Sequence, residues 1–186
     1  MEPMRILIVD DDQASLGMNR LIVENCGHEP IGITDSLQAM KIISDNKIQV
    51  VISDWVMPGL SGLDLVRALR TDASRPYVYF IVLTGTKLGK INFMEAMDAG
   101  ADDYMEKPAN KDLLRVRLRV AQRILSLDTE VNTLKALIPV CSNCRRVRRD
   151  DQAYESLETY ISKNSAIRFT HGLCPECAEK LYPEYK

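Results

Sequence analysis

The chain has 186 residues and a formal net charge of −2, with 46% hydrophobic and 27% charged residues. This composition is typical of a folded protein in water, and so small a net charge excludes a whole-chain field that would draw the chain to nucleic acid or an anionic membrane. No apolar run approaches the roughly 20 residues that cross a bilayer, and the residues before the first strand lack a signal-peptide pattern. We therefore expect a cytoplasmic protein with one ordinary domain and a smaller one.

Strands and helices are predicted to alternate through residues 1–110. Short apolar runs predict the strands, and helical spacing between capping and glycine signals predicts the helices. The strands are 6–9, 29–34, 50–53, 77–83 and 103–106, and the helices are 13–25, 36–44, one opened by Ser61 and Gly62, and 92–99. This alternation predicts a parallel sheet with right-handed crossovers and helices on both faces.

Polar side chains follow four of these five strands at their carboxyl ends. They are Asp10 and Asp11 on the first strand, Asp54 on the third, Thr84 on the fourth and Lys107 on the fifth. With a strand order of 2-1-3-4-5, the first and third strands are neighbours and the three carboxylates share one crevice. Because close like charges need a counter-ion and oxygen ligands favour Mg²⁺, the sequence predicts a magnesium site.

Asp54 is the candidate reactive group of this crevice. Taken alone, it is better explained as a strand-ending aspartate that begins the Pro58–Gly59 turn. Beside a divalent cation, however, its carboxylate can act as a nucleophile toward phosphorus, since the cation neutralises the charge that develops. Lys107 is suited to contact the same phosphoryl group as a point charge, and the Thr84 hydroxyl can hydrogen-bond it.

Together these motifs resemble the receiver domain of two-component response regulators, a CheY-like, flavodoxin-like fold. The resemblance covers about residues 4 to 122 and rests on four motifs: Ile6–Asp12, Asp54–Gly62, Leu83–Gly85 and Tyr104–Pro108. It implies that Asp54 accepts a phosphoryl group from a phosphohistidine on a sensor histidine kinase or phosphotransfer protein. Beyond its own phosphorylation and dephosphorylation, we expect no enzymatic activity.

The same resemblance implies the roles of the neighbouring residues. Asp10 and Asp11 help to hold Mg²⁺, with the backbone carbonyl of Val56 as a further ligand. Thr84 and Tyr104 match the switch pair, in which the hydroxyl moves to the phosphate and the aromatic ring turns inward. Pro108 resembles the proline of a cis peptide bond. The one tryptophan, Trp55, is predicted to be partly exposed.

A long helix is predicted over residues 111–138, which contain neither glycine nor proline. One apolar stripe, predicted to pack on the receiver, consists of Leu114, Leu118, Ala121 and Leu125. A second stripe with heptad spacing consists of Val120, Ile124, Leu127, Val131, Leu134 and Ile138. This seam predicts a homodimer through a short parallel coiled coil at 120–138, and the alternative is a helix packed back on its own chain.

Two Cys-x-x-Cys pairs mark residues 139–186 as a separate module: Cys141 with Cys144, and Cys174 with Cys177. Two such pairs predict a structural Cys₄ zinc site, which suits a segment too short to build a good core alone. The alternatives are an iron–sulfur cluster, a redox dithiol or no bound metal. The segment resembles cysteine-rich tails on some bacterial receiver and sensor-kinase proteins. Between the pairs, an apolar helix face is predicted from Tyr154, Leu157, Tyr160 and Ile161.

The output of the module is open at the level of sequence. The favoured hypothesis is a phospho-accepting receiver that signals through a zinc-stapled interaction module. Four arginines at 145, 146, 148 and 149 raise the alternative of a DNA-binding transcriptional regulator. Residues from Pro139 onward carry a net charge near zero, so nucleic-acid binding is disfavoured. A third hypothesis is a redox or metal sensor that works through the cysteine pairs.

Overall fold

The computed structural model describes residues 3–72, 75–85, 90–135 and 137–182, and within these the side chains of all but Lys90, Ile91, Leu134 and Lys135. The chain divides into two compact units, Met1–Val131 and Asn132–Lys186. The division falls inside the predicted linking helix. No helix among the described residues is both long enough and apolar enough to cross a membrane.

The first unit is built on a five-stranded sheet of order β2-β1-β3-β4-β5, as predicted. All four strand pairs are parallel. The strands are β1 Arg5–Val9, β2 Glu29–Ile33, β3 Val50–Asp54, β4 Tyr79–Thr84 and β5 Asp103–Glu106. Because β1 lies between β2 and β3, its carboxyl end and that of β3 lie side by side at the point where the strand order reverses.

The helices of the first unit alternate with these strands. They are α1 Gln13–Asn25, α2 Ala39–Asp45, α3 Gly62–Thr71, α4 Lys90–Asp98 and α5 Lys111–Lys135. A 3₁₀ turn, Ser36–Gln38, occupies the start of the predicted second helix, so α2 itself begins three residues late. Side-chain caps fix two of the starts: Asp12 caps α1, and Ser61 forms a capping box with Asp64 at α3.

Alternate strand residues form two hydrophobic cores, one on each face of the sheet. On one face the strands pack against α2, α3 and α4. On the other face they pack against α1 and α5. The predicted receiver-packed stripe of α5 is confirmed, because Leu114, Leu118 and Ala121 are fully buried and Leu125 is nearly so.

The heptad seam of α5 lies on a different face of the helix and is exposed. Its residues Val120, Ile124, Leu127 and Val131 keep 37%, 38%, 60% and 45% of their surface. The helix ends at Lys135, and residues 137–139 are not helical, so Ile138 falls outside the predicted helix. Pro139 disfavours a helical conformation in the residue before it, which explains the earlier end. The side chain of Leu134 lies outside the described residues.

The second unit contains a short antiparallel hairpin and two helices. The hairpin pairs β6 Val147–Arg148 with β7 Tyr154–Glu155, and the helices are α6 Leu157–Asn164 and α7 Pro175–Leu181. Tyr154 therefore belongs to a strand and not to the predicted apolar helix face. Among the described residues of this unit, Val147 is the one buried hydrophobic side chain. Burial of apolar surface therefore contributes little to holding this unit together.

Candidate functional site

Three carboxylates meet at the carboxyl edge of the sheet. Asp10 and Asp11 follow β1, and Asp54 ends β3, whose register sets Val9 beside Ser53. One carboxylate oxygen of each lies within 4.8 Å of the others, with Asp10 buried, Asp54 half-buried and Asp11 exposed. The predicted convergence of these side chains is confirmed, and its donor set is the oxygen-only chemistry that a hard divalent cation prefers.

Lys107 is the cation of this cluster. Its Nζ lies 2.6 Å from Asp54 Oδ2 and 2.7 Å from Asp10 Oδ2. Its backbone N–H donates to the Thr84 carbonyl oxygen at 2.7 Å, which ties the loop after β5 to the end of β4. Burial by itself would lower the pKa of Lys107, but hydrogen bonds and charge from Asp10 and Asp54 outweigh it, so this pKa lies above its usual value. The lysine is therefore charged, and the Lys107–Pro108 bond is cis.

The Asp54 side chain is largely buried, although it lies at the edge of the sheet. Its side chain retains 15% of its exposure, because Lys107 and the neighbouring loops cover it. The Thr84 side chain at the end of β4 is fully buried. The side chain of Val56 points outward and is 52% exposed, so only its backbone is available to the site.

Trp55 corrects a sequence prediction, since it is 5% exposed instead of forming a partly exposed patch. Its ring packs edge-to-face against Tyr104, with centroids 6.3 Å apart. Tyr104 packs in the same manner against Phe93 of α4 at 5.9 Å. An aromatic row therefore runs from the residue next to Asp54, through Tyr104, to α4, and such edge-to-face pairs favour defined ring positions.

Gly62 brings the start of α3 unusually close to Asp54. A Cβ on Gly62 would lie 2.3 Å from the Asp54 carbonyl oxygen. Backbone atoms would have to move to remove this clash. The Gly62 N–H also donates to the Trp55 carbonyl oxygen at 2.9 Å. The glycine therefore allows α3 to pack directly against the backbone that carries the Asp54 carboxylate.

Gly62→Ala is expected to destabilise the first unit by about 1–3 kcal/mol, because the clash forces the end of β3 or the start of α3 to shift. Chemical denaturation followed by circular dichroism measures the change. Gly17→Ala in α1 is the matched control, since a Cβ there meets no atom within 4 Å. This control is expected to stabilise by about 0.5–1 kcal/mol. Equal stability of the two variants would contradict the packing argument.

Sequence reasoning missed two polar residues of α1. Ser15 Oγ donates to Asp10 Oδ2 at 2.5 Å, and Asn19 Nδ2 lies 3.5 Å from Ser15 Oγ. Asn19 is 2% exposed. The available signal was a polar residue at position 19 among the buried apolar positions of α1, Leu16, Ile22 and Val23.

The two Cys-x-x-Cys pairs of the second unit have different local structures: Cys141 and Cys144 flank a turn, whereas Cys174 precedes α7 and Cys177 lies in its first turn. Backbone N–H groups of Cys144 and Asn143 donate to the Cys141 sulfur and hold the pKa of that thiol below its usual value. The pKa of Cys174 is lowered chiefly by a hydrogen bond from the Cys177 backbone. Within the described part of the chain, no three of the four sulfurs lie close enough to share one ion. The described residues therefore do not bring together the four sulfurs of the predicted Cys₄ site.

A parallel five-stranded unit with three carboxylates and a bridging lysine at the carboxyl edge defines the class of receiver-like α/β proteins. The family model for the response regulator receiver domain matches residues 6–119. The chain belongs to this family, whose members bind Mg²⁺ at an acidic site and are phosphorylated by sensor histidine kinases. The matched range ends before Cys141 and does not include the second unit.

Similar proteins support the same assignment. The chain is 35% identical over 118 residues to the phosphate regulon transcriptional regulatory protein PhoB of Pseudomonas aeruginosa, covering 63% of this chain and 51% of PhoB. It is 32% identical over 119 residues to the DNA-binding response regulator MtrA of Mycobacterium tuberculosis, covering 64% of this chain and 50% of MtrA. The chain thus spans about half the length of these curated relatives.

A solved structure gives the same result for the fold. A response regulator receiver domain protein from Clostridium thermocellum is 31% identical, with a TM-score of 0.60. The similarity covers 67% of this chain and 98% of that protein. The likeness is therefore to a whole receiver domain.

Proposed function

We propose that this chain is a two-component response regulator in which Asp54 accepts a phosphoryl group from a sensor histidine kinase or a phosphotransfer protein. The observation that carries the proposal is Lys107, which bridges Asp54 and Asp10 inside a cluster of three carboxylates. The experiment that tests it is Mg²⁺-dependent labelling of the full chain by a small acyl phosphate donor and its loss in an Asp54 variant.

The residues present fit a divalent cation. Three carboxylates and one lysine leave a formal charge of −2, and all the donors are hard oxygens. Asp10, Asp11, Asp54 and the Val56 carbonyl oxygen would hold Mg²⁺, which would neutralise charge on the phosphoryl oxygens during transfer.

Phosphoryl transfer to Asp54 needs few groups from the protein. A carboxylate oxygen of Asp54 attacks phosphorus in line, the new oxygen–phosphorus bond forms, and the phosphorus–nitrogen bond of the donor phosphohistidine breaks. The electron pair of that bond stays on the leaving imidazole. Lys107 then exchanges its bond to Asp54 for one to a phosphoryl oxygen.

The switch that reports this change uses Thr84 and Tyr104. The Thr84 hydroxyl turns to the phosphoryl group, and Tyr104 turns into the space that it leaves. The aromatic row of Trp55, Tyr104 and Phe93 supports this role, because a change in the Tyr104 ring must alter its packing against α4.

For the output, we infer a zinc-stapled interaction module in the second unit. The support is that its described residues bury one hydrophobic side chain, Val147, while all four cysteines are free, one pair at a turn and the other at the start of α7. A segment of this kind gains a defined fold when a metal binds both cysteine pairs, so metal binding and folding of the module are coupled.

Cys141→Ser with Cys144→Ser is expected to remove about one zinc ion per chain, because two thiolates of a closed Cys₄ site are lost. Elemental analysis of the purified full chain measures this. Cys26→Ser is the matched control, since Cys26 lies in the first unit at the end of α1. Zinc retained in the double variant would contradict the proposal, and metal released by oxidant in the wild type would favour a redox sensor instead.

A DNA-binding regulator is the second candidate. It is favoured by the names of PhoB and MtrA as transcriptional or DNA-binding proteins, and by the exposure of Arg145, Arg146 and Arg148. The chain covers only about half of those relatives, and Arg149 is already paired with Asp151 at 2.7 Å. Salt-dependent retention of the full chain on DNA that is lost on neutralising these arginines would establish it.

Dimerisation through α5 completes the proposal. The exposed seam of Val120, Ile124, Leu127 and Val131 runs along the helix with heptad spacing, on a different face from the stripe that packs on the sheet. A second copy of the same helix covers such a seam in a parallel coiled coil.

A further inference from the structure

Behind the acidic cluster, α1 carries two polar side chains that packing alone does not require. Ser15 lies one helical turn before Asn19; the Ser15 hydroxyl bonds to Asp10, and the Asn19 amide bonds to Ser15. Asn19 is 2% exposed and sits among Leu16, Ile22 and Val23, where an apolar residue of similar size would pack without needing a partner. Each polar group buried there must therefore be bonded to be tolerated.

The direction of the hydrogen bonds follows from the chemistry of the groups. An ionised Asp10 carboxylate can only accept, so the Ser15 hydroxyl donates to Oδ2 across 2.5 Å. The Asn19 amide then donates to the free lone pair of Ser15 Oγ at 3.5 Å. The chain of donors runs from Asn19 to Ser15 to Asp10 and fixes the hydroxyl of Ser15 in the donating orientation.

Asp10 Oδ2 thus receives two side-chain donors, Ser15 from α1 and Lys107 from the loop after β5. The other oxygen, Oδ1, accepts from the backbone N–H of Asp12 at 3.2 Å. Because the Asp10 side chain is 1% exposed, solvent does not replace a lost donor. When Lys107 turns to a phosphoryl group, Ser15 is the side-chain donor that remains on this carboxylate.

We propose that Ser15 is a positioning residue for the magnesium site, and that Asn19 orients it. The hydroxyl holds the Asp10 carboxylate in the rotamer that faces the cation whether or not Lys107 is bound to it. This inference rests on the proposed function, since it assigns to Asp10 a place beside Mg²⁺. Hydrogen-bonded partners of metal-binding carboxylates and imidazoles commonly set metal affinity in this way.

The test is a Mg²⁺ titration of the full-length wild type and variants, followed by Trp55 fluorescence and repeated by calorimetry. Ser15→Ala is expected to raise the Kd for Mg²⁺ about tenfold, and Asn19→Ala about threefold, because the second acts through the first. Ser15→Thr keeps the hydroxyl and is expected to bind Mg²⁺ within about twofold of the wild type. Ser126→Ala is the control, since that hydroxyl bonds only to carbonyls of its own helix.

Thermal unfolding of each variant separates positioning from folding. A Ser15→Ala protein that unfolds like the wild type but binds Mg²⁺ weakly, with affinity restored in Ser15→Thr, supports the proposal. An unchanged Kd in Ser15→Ala overturns it, and so does a Ser15→Thr variant as weak as Ser15→Ala. If Ser15→Ala does not fold, the ratio of Kd between Asn19→Ala and the wild type decides, and a ratio of one overturns the proposal. If the wild type itself takes up no Mg²⁺, the proposed function fails as well.

Discussion

Asp54→Asn is expected to lower the rate of Mg²⁺-dependent phosphoryl labelling on the order of 10³-fold, to the background of the assay. Asparagine keeps the shape of the side chain but has no anionic oxygen to attack phosphorus. Labelling from a small acyl phosphate donor, resolved by intact mass, measures the rate and the number of groups added. The full chain is used, so that the result applies to the protein with both units present.

The expected size of this effect follows from the position of Asp54 in the cluster. Asp54 ends β3, the central strand of the sheet. Its Oδ2 lies 2.6 Å from Lys107 Nζ. Asp45→Asn is the control, because this exposed aspartate at the end of α2 lies outside the carboxylate trio. Labelling that persists in Asp54→Asn at the wild-type rate would contradict the receiver function, whereas loss in both variants would point to a general effect of the substitution.

Leu127→Asp is expected to weaken the proposed dimer at least about 100-fold, because it places a charge from each chain in an apolar seam. Leu127 is 60% exposed in the single chain, so the substitution costs little before association. Sedimentation or light scattering over a range of concentrations gives the dimer Kd. Ser126→Asp adds the same charge one residue earlier, off the seam, and is expected to leave the dimer intact.

The charges that flank the seam test its orientation. In a parallel coiled coil, the residue just before a core position on one helix lies close to the residue five positions further along the partner helix. Arg123 and Asp128 are so spaced, and both flank the seam between Ile124 and Leu127. Arg123→Glu is therefore expected to weaken the dimer, and Arg123→Glu with Asp128→Arg to restore it. A wild type that is monomeric at all concentrations would contradict dimerisation through α5 and favour a helix that packs only on its own chain.

The sequence was sufficient for the sheet and for the meeting of the carboxylates. Polar residues that end β1 and β3 must converge once those strands are parallel neighbours, and periodicity alone predicts that they are strands. The two stripes of α5 also follow from periodicity, because residues at helical spacing lie on one face of the helix. One stripe is buried in the first unit and the other is exposed. Local chemistry also predicted the start of α3 at Ser61 and Gly62.

Only the tertiary structure decided the environment of each side chain at the site. Trp55 is buried and packs against Tyr104, which lies far along the chain, and Lys107 reaches Asp54 across 53 positions. Ser15 became part of the site because α1 packs beside β1. The cysteine pairs are the converse case: the spacing keeps the two members of each pair close, but bringing the two pairs together requires contacts or a metal that sequence spacing does not supply. Local patterns fix turns and faces, whereas burial and partners depend on which distant residues fill the space around them.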